Sequence, residues 1–309
     1  IPLFILMGEL LFRSGTMDVL FDSIDKLVGK VKGRQYVLVV VLSAVFGALS
    51  GVAMAVAAML GRAIMPGMQE RGYDRGIAAG LIIGGASLAP IIPPSLLAII
   101  VGSLADVSIA KLLIAGVIPG LLIGGIFLVY TFVRIAINSS LAPENVTGER
   151  GEVTNGDKMI AIVKTLPFMI VMFSVMGFIM LGIATPSESA ATGVVGSLIT
   201  AAIYRKLSIK MIWASLLAAV TVSAMILVIM AMSKMFTQLL AFTGATSQLV
   251  NLVVNLGYAP IIMLLIMLAV PFILCMFIDT IAVILLIIPI YQPVVNALEF
   301  DPVWFWLLF

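Results

Sequence analysis

The sequence predicts an all-α polytopic membrane protein, and three observations lead to this fold class. Hydrophobic residues make up 62% of the 309-residue chain and charged residues only 10%, whereas about a quarter of the residues in a soluble domain carry charge. Apolar stretches reach the roughly 20 residues that a helix needs to cross a bilayer. Lysine and arginine cluster between these stretches, as they do in the cytoplasmic loops of membrane proteins.

Five apolar stretches are typical of spanning helices: 78–101, 112–133, 166–183, 190–203 and 212–240. Two others, 36–65 and 260–294, are too long for one span and are interrupted at 47–51 and 277–280. Each is predicted to be a re-entrant hairpin, and the alternative is two spans joined by a short surface turn. Because non-helical backbone at membrane depth needs polar surroundings, either break indicates a polar interior.

The basic residues predict which side of the membrane each loop faces. Those that flank the first hairpin or lie in the next two basic loops are expected to be cytoplasmic: Lys26, Lys30, Lys32, Arg34, Arg62, Arg71, Arg75, Arg134, Arg150, Lys158, Lys164, Arg205, Lys206 and Lys210. No lysine or arginine follows Lys234, so the flanks of the second hairpin, including Gly257, are expected outside. Both interpretations of the hairpins give the same sidedness.

An internal repeat appears when the chain is shifted by about 228 positions, from Gly29 to Gly257. The two breaks then coincide, with Ser50-Gly51 over Ile278-Asp279. An amphipathic segment precedes each break, at 17–27 and 248–255, and an aromatic-Asp pair follows it, at 73–74 and 300–301. Chance matching of apolar sequence is the alternative, but the order and spacing of these landmarks favour a repeat.

The predicted sidedness makes this repeat inverted, since the first copy starts on the cytoplasmic side and the second outside. Inverted repeats with broken helices are an architecture of secondary transporters, whose substrate and ion sites lie between the copies. The second copy stops at Phe309, before the equivalent of the proline-interrupted stretch 90–95, and Ile1 opens directly into apolar sequence. We therefore expect the chain to be part of a longer protein.

The stretch 84–95 is the strongest candidate for an ion site. Its prolines at 90, 93 and 94 lack amide hydrogens, so carbonyl groups near Gly85 to Ala89 are predicted to lose their helical partners. Such carbonyls and serine hydroxyls are hard oxygen ligands that suit Na⁺. The predicted Na⁺ ligands and close-approach positions are Gly47, Ser50, Gly51, Gly85, Ser87, Ala89 and Pro90, and Ser95 adds a hydroxyl. A plain kinked helix is the alternative.

Asp279 is the one acid deep in an apolar stretch, where a charge costs about 2.5–3.5 kcal/mol even on the mildest scale. It is therefore a candidate for binding a cation, a substrate or a proton, and the alternative is a helix cap at the hairpin tip. Thr185, Pro186 and Glu188 have the spacing of a capping box. Enzyme function is not expected, because the chain has no histidine, a single cysteine and no nucleotide-binding loop.

Five motifs together resemble the large permease subunit of TRAP (tripartite ATP-independent periplasmic) transporters. They are Gly-Ala-Leu-Ser-Gly at 47–51, Pro-Gly-Met-Gln-Glu-Arg-Gly-Tyr-Asp at 66–74, Ala-Pro-Ile-Ile-Pro-Pro-Ser at 89–95, Gly-Ile-Ala-Thr-Pro-Ser-Glu-Ser-Ala-Ala at 182–191 and Phe-Ile-Asp at 277–279. The match extends over almost the whole chain. One departure is Val52, where the family usually has a second serine, so one expected hydroxyl is missing.

The resemblance implies an elevator-type secondary transporter of the ion-transporter superfamily, with a mobile domain on a scaffold. Residues 1–35 and 106–258 would form scaffold helices and interfacial arms, 36–105 one half of the transport domain, and 259–309 the second hairpin and the start of the last broken helix. Substrate would contact Ser50, Ser95, Asp279 and Thr280.

The resemblance also implies a function, a location and partners. The protein would import an organic acid (a carboxylate such as a dicarboxylate) with Na⁺ across the bacterial inner membrane, as a multi-pass protein of the lipid bilayer. Its partners would be a small membrane subunit and a periplasmic substrate-binding protein, and neither an organic cofactor nor nucleic acid is expected. The alternatives are a single-component Na⁺/dicarboxylate or citrate symporter and, from another class, a channel or the permease core of an ATP-driven importer.

Overall fold

The computed structural model describes residues 1–28, 32–142 and 155–309, apart from the side chains of Ser50 and Asn155. Two positions used to predict sidedness, Lys30 and Arg150, and the repeat position Gly29 lie outside the described residues. In the described part all regular structure is helical, and the predicted all-α class is confirmed. Among these helices four are long and apolar enough to cross a membrane.

Fifteen α-helices follow one another along the described chain. They are α1 (Pro2–Arg13), α2 (Met17–Val28), α3 (Arg34–Ser50), α4 (Ala53–Ala63), α5 (Met65–Glu70), α6 (Arg75–Ala86), α7 (Leu96–Leu104), α8 (Ile109–Ile137), α9 (Asn155–Met180), α10 (Pro186–Ile203), α11 (Ile209–Phe242), α12 (Ala245–Asn255), α13 (Pro260–Leu274), α14 (Thr280–Ala297) and α15 (Pro302–Leu308). The four helices that are long and apolar enough to cross a membrane are α8, α9, α11 and α14. The predicted span 78–101 is two short helices, α6 and α7, because the prolines between them stop the helical hydrogen bonding.

The first predicted hairpin is a pair of packed helices, α3 and α4. They have 17 and 11 residues, and at about 1.5 Å per residue neither reaches across a hydrocarbon core of about 30 Å. These lengths favour a re-entrant hairpin over two full spans. The depth of the hairpin in the membrane stays a prediction.

The chain folds into two compact units, 1–96 with 116–220 and 97–115 with 221–309. In the first unit α3 packs against α4 and α6, and α10 packs against α1 and α9. Its core is built from fully buried side chains, among them Tyr36, Phe46, Leu60 and Met68. In the second unit α14 packs against α12, α13 and α15. The predicted division into scaffold and transport segments concerns motion and stays a prediction.

Buried polar contacts join the ends of the helices in the first unit. The Tyr36 hydroxyl donates to the Leu141 carbonyl at 2.8 Å and accepts from the Asp74 amide at 3.0 Å. Asp74 caps α6 by accepting from the Ile77 amide at 2.8 Å. Together these bonds hold the start of α3, the start of α6 and the chain after α8 in one place.

A buried ion pair connects the predicted interfacial helix α2 to the first hairpin. The Arg34 guanidinium lies 3.0 Å from a carboxylate oxygen of Asp25 and also donates to the Asp25 carbonyl. Asp25 is 5% exposed, and removing one partner of a buried pair is costly because the other charge is left unpaired. The pair therefore joins the end of α2 to the start of α3.

The order of elements repeats along the chain, as the sequence predicts. The helices α2, α3, α4 and α6 are followed about 228 positions later by α12, α13, α14 and α15. Asp74 and Asp301 cap α6 and α15 in the same way. Gly72 and Glu299, two residues before these caps, both have positive φ, +76° and +55°. The opposite orientation of the copies in a membrane stays a prediction.

The predicted capping box at the start of α10 is confirmed. The Thr185 amide donates to the Glu188 carboxylate at 2.7 Å, and the Glu188 amide donates to the Thr185 hydroxyl at 3.3 Å. Both orphan donors of the first turn are thereby satisfied, with Pro186 in the first helical position. This local role accounts for Glu188 without any part in transport.

Candidate functional site

The tip of the first hairpin lies slightly later in the chain than the break at 47–51 that the sequence predicts. α3 continues through Gly47 to Ser50, and only Gly51 leaves the helix, with φ +65° and ψ +6°. The Gly51 amide still donates to the Gly47 carbonyl at 2.7 Å. Because a left-handed backbone favours glycine, Gly51 is the residue that ends α3 and lets Val52 begin α4. The side chain of Ser50 lies outside the described part of the structure.

The proline-interrupted stretch lies between α6 and α7. The Leu88 amide donates to the Gly85 carbonyl at 3.0 Å and the Ala89 amide to the Ala86 carbonyl at 3.1 Å, so the helix gives way to tighter turns. Pro90 has no amide hydrogen for the Ala86 carbonyl, and Pro93 has none for the Ala89 carbonyl. The Gly85 carbonyl was predicted to lose its helical partner. It accepts one hydrogen bond, from the Leu88 amide, and its second lone pair could bind another ligand.

The hairpin and this stretch pack closely at three glycines, against backbone at Gly47 and Gly51 and against a side chain at Gly85. A Cβ atom on Gly47 would lie 2.9 Å from Ala89 Cα, and one on Gly85 would lie 2.4 Å from Ser43 Oγ. At Gly51 a Cβ would lie 3.1 Å from the Leu96 amide nitrogen. Side chains have no room there. This is the close approach that the sequence predicts for Gly47 and Gly51.

Most of the predicted cation ligands meet along this contact. Ser95 is fully buried, and its hydroxyl donates to the Pro90 carbonyl. Ala89 is also fully buried, directly against Gly47. A Cβ atom added to Gly51 would lie 3.4 Å from the Pro94 carbonyl oxygen. The contact therefore gathers backbone oxygens and one hydroxyl between two interrupted helices.

Ser87 is the predicted ligand that the structure does not bring to this contact. Its side chain is exposed, and its hydroxyl donates to the Gly84 carbonyl at 2.6 Å, within the last turn of α6. A serine at the end of a helix commonly bonds its own backbone in this way. Its role is local, in the turn that ends α6.

Sequence reasoning missed Ser43. It is fully buried on α3 and faces Gly85 of α6. A signal was present, because Ser43, Gly47 and Gly51 are spaced by four residues and so line one face of a helix. The run of small residues extends about two turns from the tip; Ser43 faces α6, and Gly47 and Gly51 face the proline-interrupted stretch and the start of α7.

The second hairpin tip comprises the residues between α13 and α14. Asp279 is the N-cap of α14, and its carboxylate accepts from the Ile281 amide at 3.0 Å. Asp279 and Thr280 are both exposed. Asp279 thus has the helix-capping role that the sequence analysis gave as the alternative. The N-cap of α4 in the first hairpin is Val52, which makes no side-chain cap, so an acid caps the following helix at only one of the two tips.

Within the described ranges no cluster of three or more histidine, cysteine or acidic side chains is arranged to hold a metal ion. The oxygens gathered at the first hairpin contact are backbone carbonyls and the Ser95 hydroxyl. Na⁺ accepts such neutral oxygen ligands at the broken helices of transporters. The donor set along the Gly47 to Ser95 contact fits that chemistry.

Comparison with known proteins identifies the family. The whole chain, residues 1–309, matches the family described as the DctM component of tripartite ATP-independent periplasmic transporters. It is 29% identical over 304 residues to a C4-dicarboxylate TRAP transporter large permease protein of Pseudomonas aeruginosa, covering 98% of this chain and 70% of that protein. It is 28% identical over 304 residues to an ectoine TRAP transporter large permease protein of Halomonas elongata, with 98% and 70% covered.

A further relative is the 2,3-diketo-L-gulonate TRAP transporter large permease protein of Escherichia coli, 27% identical over 311 residues that cover 100% of this chain and 71% of that protein. These relatives are named as permeases of transporters and not as enzymes, as the sequence predicts. Since the match covers every residue, the chain belongs to the DctM family, the large membrane-spanning permease component of TRAP transporters.

Proposed function

We propose that this permease imports an organic acid across the bacterial inner membrane and that Na⁺ drives the import. The packing of Gly47 and Gly51 against the stretch 89–95 carries the proposal, because it gathers uncharged oxygen ligands where two helices are interrupted. Such positions bind Na⁺ in other secondary transporters. The cation would be held by carbonyls near Gly85, Ala89 and Pro90, with hydroxyls supplied from Ser50 and Ser95.

The substrate class follows from chemistry and from the relatives. C4-dicarboxylates and diketogulonate are carboxylates, and a carboxylate beside a bound Na⁺ would have part of its charge neutralised. At the second hairpin the exposed Thr280 would donate a hydrogen bond to the substrate, beside Asp279. The transport would follow an elevator mechanism in which the hairpins move with the substrate.

The proposed partners are a small membrane subunit and a periplasmic substrate-binding protein. Both are in keeping with the words tripartite and periplasmic in the family's description. In this arrangement the binding protein selects the acid and the permease supplies the passage. Uptake that persists without any binding protein would favour a single-component symporter instead.

The test is uptake of labelled carboxylates into proteoliposomes that contain the full-length permease and its partners. We expect uptake to persist without ATP and to collapse when the imposed Na⁺ gradient is removed. Ser95→Ala should raise the Na⁺ concentration for half-maximal uptake several-fold, since one contact of about 1 kcal/mol is lost. Uptake that is independent of Na⁺ in the wild type would refute the coupling.

A further inference from the structure

The start of α11 meets three other helices at one end of the first compact unit. Leu10 of α1, Ala201 of α10 and Met211 of α11 belong to one buried cluster. The Tyr204 hydroxyl, just after α10, donates to the Lys164 carbonyl of α9. The last turns of α1 and α10 and the first turn of α11 therefore lie together, with Lys164 of α9 beside them.

The side chains exposed at this end are mostly basic. Four exposed cations lie on α9, in the turn from α10 to α11 and at the start of α11: Lys164, Arg205, Lys206 and Lys210. In the described part of the chain no carboxylate forms an ion pair with any of them. By the predicted sidedness they face the cytoplasm, where anionic lipids give the membrane surface a negative potential. These charges therefore attract anionic headgroups.

The turn between α10 and α11 presents two of these cations in a defined backbone arrangement. The Arg205 amide donates to the Ala202 carbonyl and the Lys206 amide to the Ala201 carbonyl, both at 2.9 Å, which is a Schellman motif. Arg205 is the left-handed residue of the motif, with φ +55°. Glycine is the usual residue there because a Cβ atom clashes with the neighbouring carbonyl. The backbone of the turn therefore does not explain the arginine.

The first turns of α11 place a cation beside an apolar stripe. Ser208 caps α11 through its hydroxyl, and Lys210 lies in the first turn. Trp213 follows one turn later and is 64% exposed. Because residues three or four apart share a helix face, Lys210 and Trp213 are neighbours, and the exposed Leu217 and Val220 continue the same face. This apolar stripe runs from Trp213 along the span.

Tryptophan at this position is typical of a membrane interface, since its ring is apolar and its N–H donates a hydrogen bond. Trp213 lies four residues after Ile209, about 6 Å along the helix, and the headgroup layer is about 5–7 Å thick on each side of the bilayer. A phospholipid whose phosphodiester lies between Lys206 and Lys210 would therefore have its glycerol beside the indole and its acyl chains along the apolar stripe.

We propose that this end of the first unit binds an anionic phospholipid of the cytoplasmic leaflet, with the phosphodiester held by Arg205, Lys206 and Lys210 and the glycerol beside Trp213. Charge complementarity selects the anion, and the apolar stripe selects a lipid over free phosphate, which has no acyl chain to cover it. The inference goes beyond the proposed transport function and does not depend on Na⁺ coupling, because its readout is lipid binding.

Quenching of Trp213 fluorescence by brominated lipids tests this selectivity. The full-length permease is reconstituted into phosphatidylcholine vesicles with a small fraction of brominated phosphatidylglycerol or, in a parallel sample, of brominated phosphatidylcholine. Subtracting the fluorescence of a Trp213→Phe variant isolates the signal of this indole. We expect several-fold stronger quenching by the phosphatidylglycerol, because each cation near an anionic surface favours binding by about five-fold. Equal quenching by the two lipids would overturn the proposal.

Charge variants show whether these lysines supply the selectivity. Lys206→Gln with Lys210→Gln should remove most of the preference for phosphatidylglycerol, whereas Lys206→Arg with Lys210→Arg should keep it. Lys111→Gln is the matched control and should also keep it. Like Lys210, Lys111 is exposed in the first turn of a serine-capped helix, but it is expected at the opposite membrane surface. An undiminished preference in the double glutamine variant would contradict the assignment.

Two further measurements exclude other occupants. Inorganic phosphate, compared with potassium chloride at the same ionic strength, should leave quenching by brominated phosphatidylglycerol unchanged. Displacement by phosphate would show that the cations take the anion without a lipid, against the proposal. The quenching is then repeated with the small membrane subunit bound. Loss of quenching by both lipids would show that protein covers the apolar stripe in the assembled transporter, and the proposal would fail.

Discussion

Replacing Gly47 with alanine adds one methyl group where α3 meets the proline-interrupted stretch. The added Cβ would lie 2.9 Å from Ala89 Cα and 3.1 Å from both the nitrogen and the Cβ of Ala89. Two of these are backbone atoms and cannot turn away as a flexible side chain can, so the two segments must separate. Overpacking of this kind typically costs about 1–3 kcal/mol.

The cost should appear as weaker Na⁺ binding, because separation moves the carbonyls of Ala89 and Pro90 away from the hairpin. If the full 1–3 kcal/mol falls on the Na⁺-bound state, the Na⁺ concentration for half-maximal uptake rises by roughly 5-fold to 140-fold. The measurement is initial uptake rate against Na⁺ concentration in proteoliposomes, at matched protein amounts.

Gly80→Ala is the matched control. Gly80 lies inside α6, and a Cβ there meets nothing within 4 Å. Alanine in a helix is favoured over glycine by up to about 1 kcal/mol, so this variant should be slightly more stable with normal Na⁺ dependence. Wild-type Na⁺ dependence and stability in the Gly47 variant would show that the contact is looser than described, and would refute the argument.

Three further predictions concern the second tip, the helix ends and sidedness. Asp279→Asn should abolish most uptake while membrane insertion stays normal, because the amide can still cap α14 but carries no charge; near-normal uptake would leave Asp279 as a cap alone. Tyr36→Phe should lower the free energy of unfolding by about 1–3 kcal/mol, measured by thermal unfolding in detergent, since it removes two part-buried hydrogen bonds, to the Leu141 carbonyl and from the Asp74 amide. In a cysteine-free background, an impermeant maleimide added to intact cells should label a cysteine at Gly257 and not one at Lys30; labelling at position 30 would overturn the predicted sidedness.

Local patterns in the sequence determine the helices and their ends. The capping box at Thr185, the interruption at Pro90 and the end of α3 at Gly51 each depend on residues within four or five positions of one another. Missing amides, capping hydroxyls and left-handed glycines act over that range whatever the tertiary structure is. For this reason the all-helical class, most helix ends and both breaks were predictable to within a few residues, whereas the predicted span 78–101 is two short helices.

Tertiary structure decided which faces meet and which polar groups they pair. Ser43 opposite Gly85, and Lys234 with Asp106, join residues that are far apart in the chain, and no periodic pattern relates them. Helix packing also decided that the Ser87 hydroxyl lies on the exposed side of α6 while the Ser95 hydroxyl is buried. The physical reason is that burial depends on which neighbouring helix covers a face, and the sequence of one helix specifies only that some face is apolar.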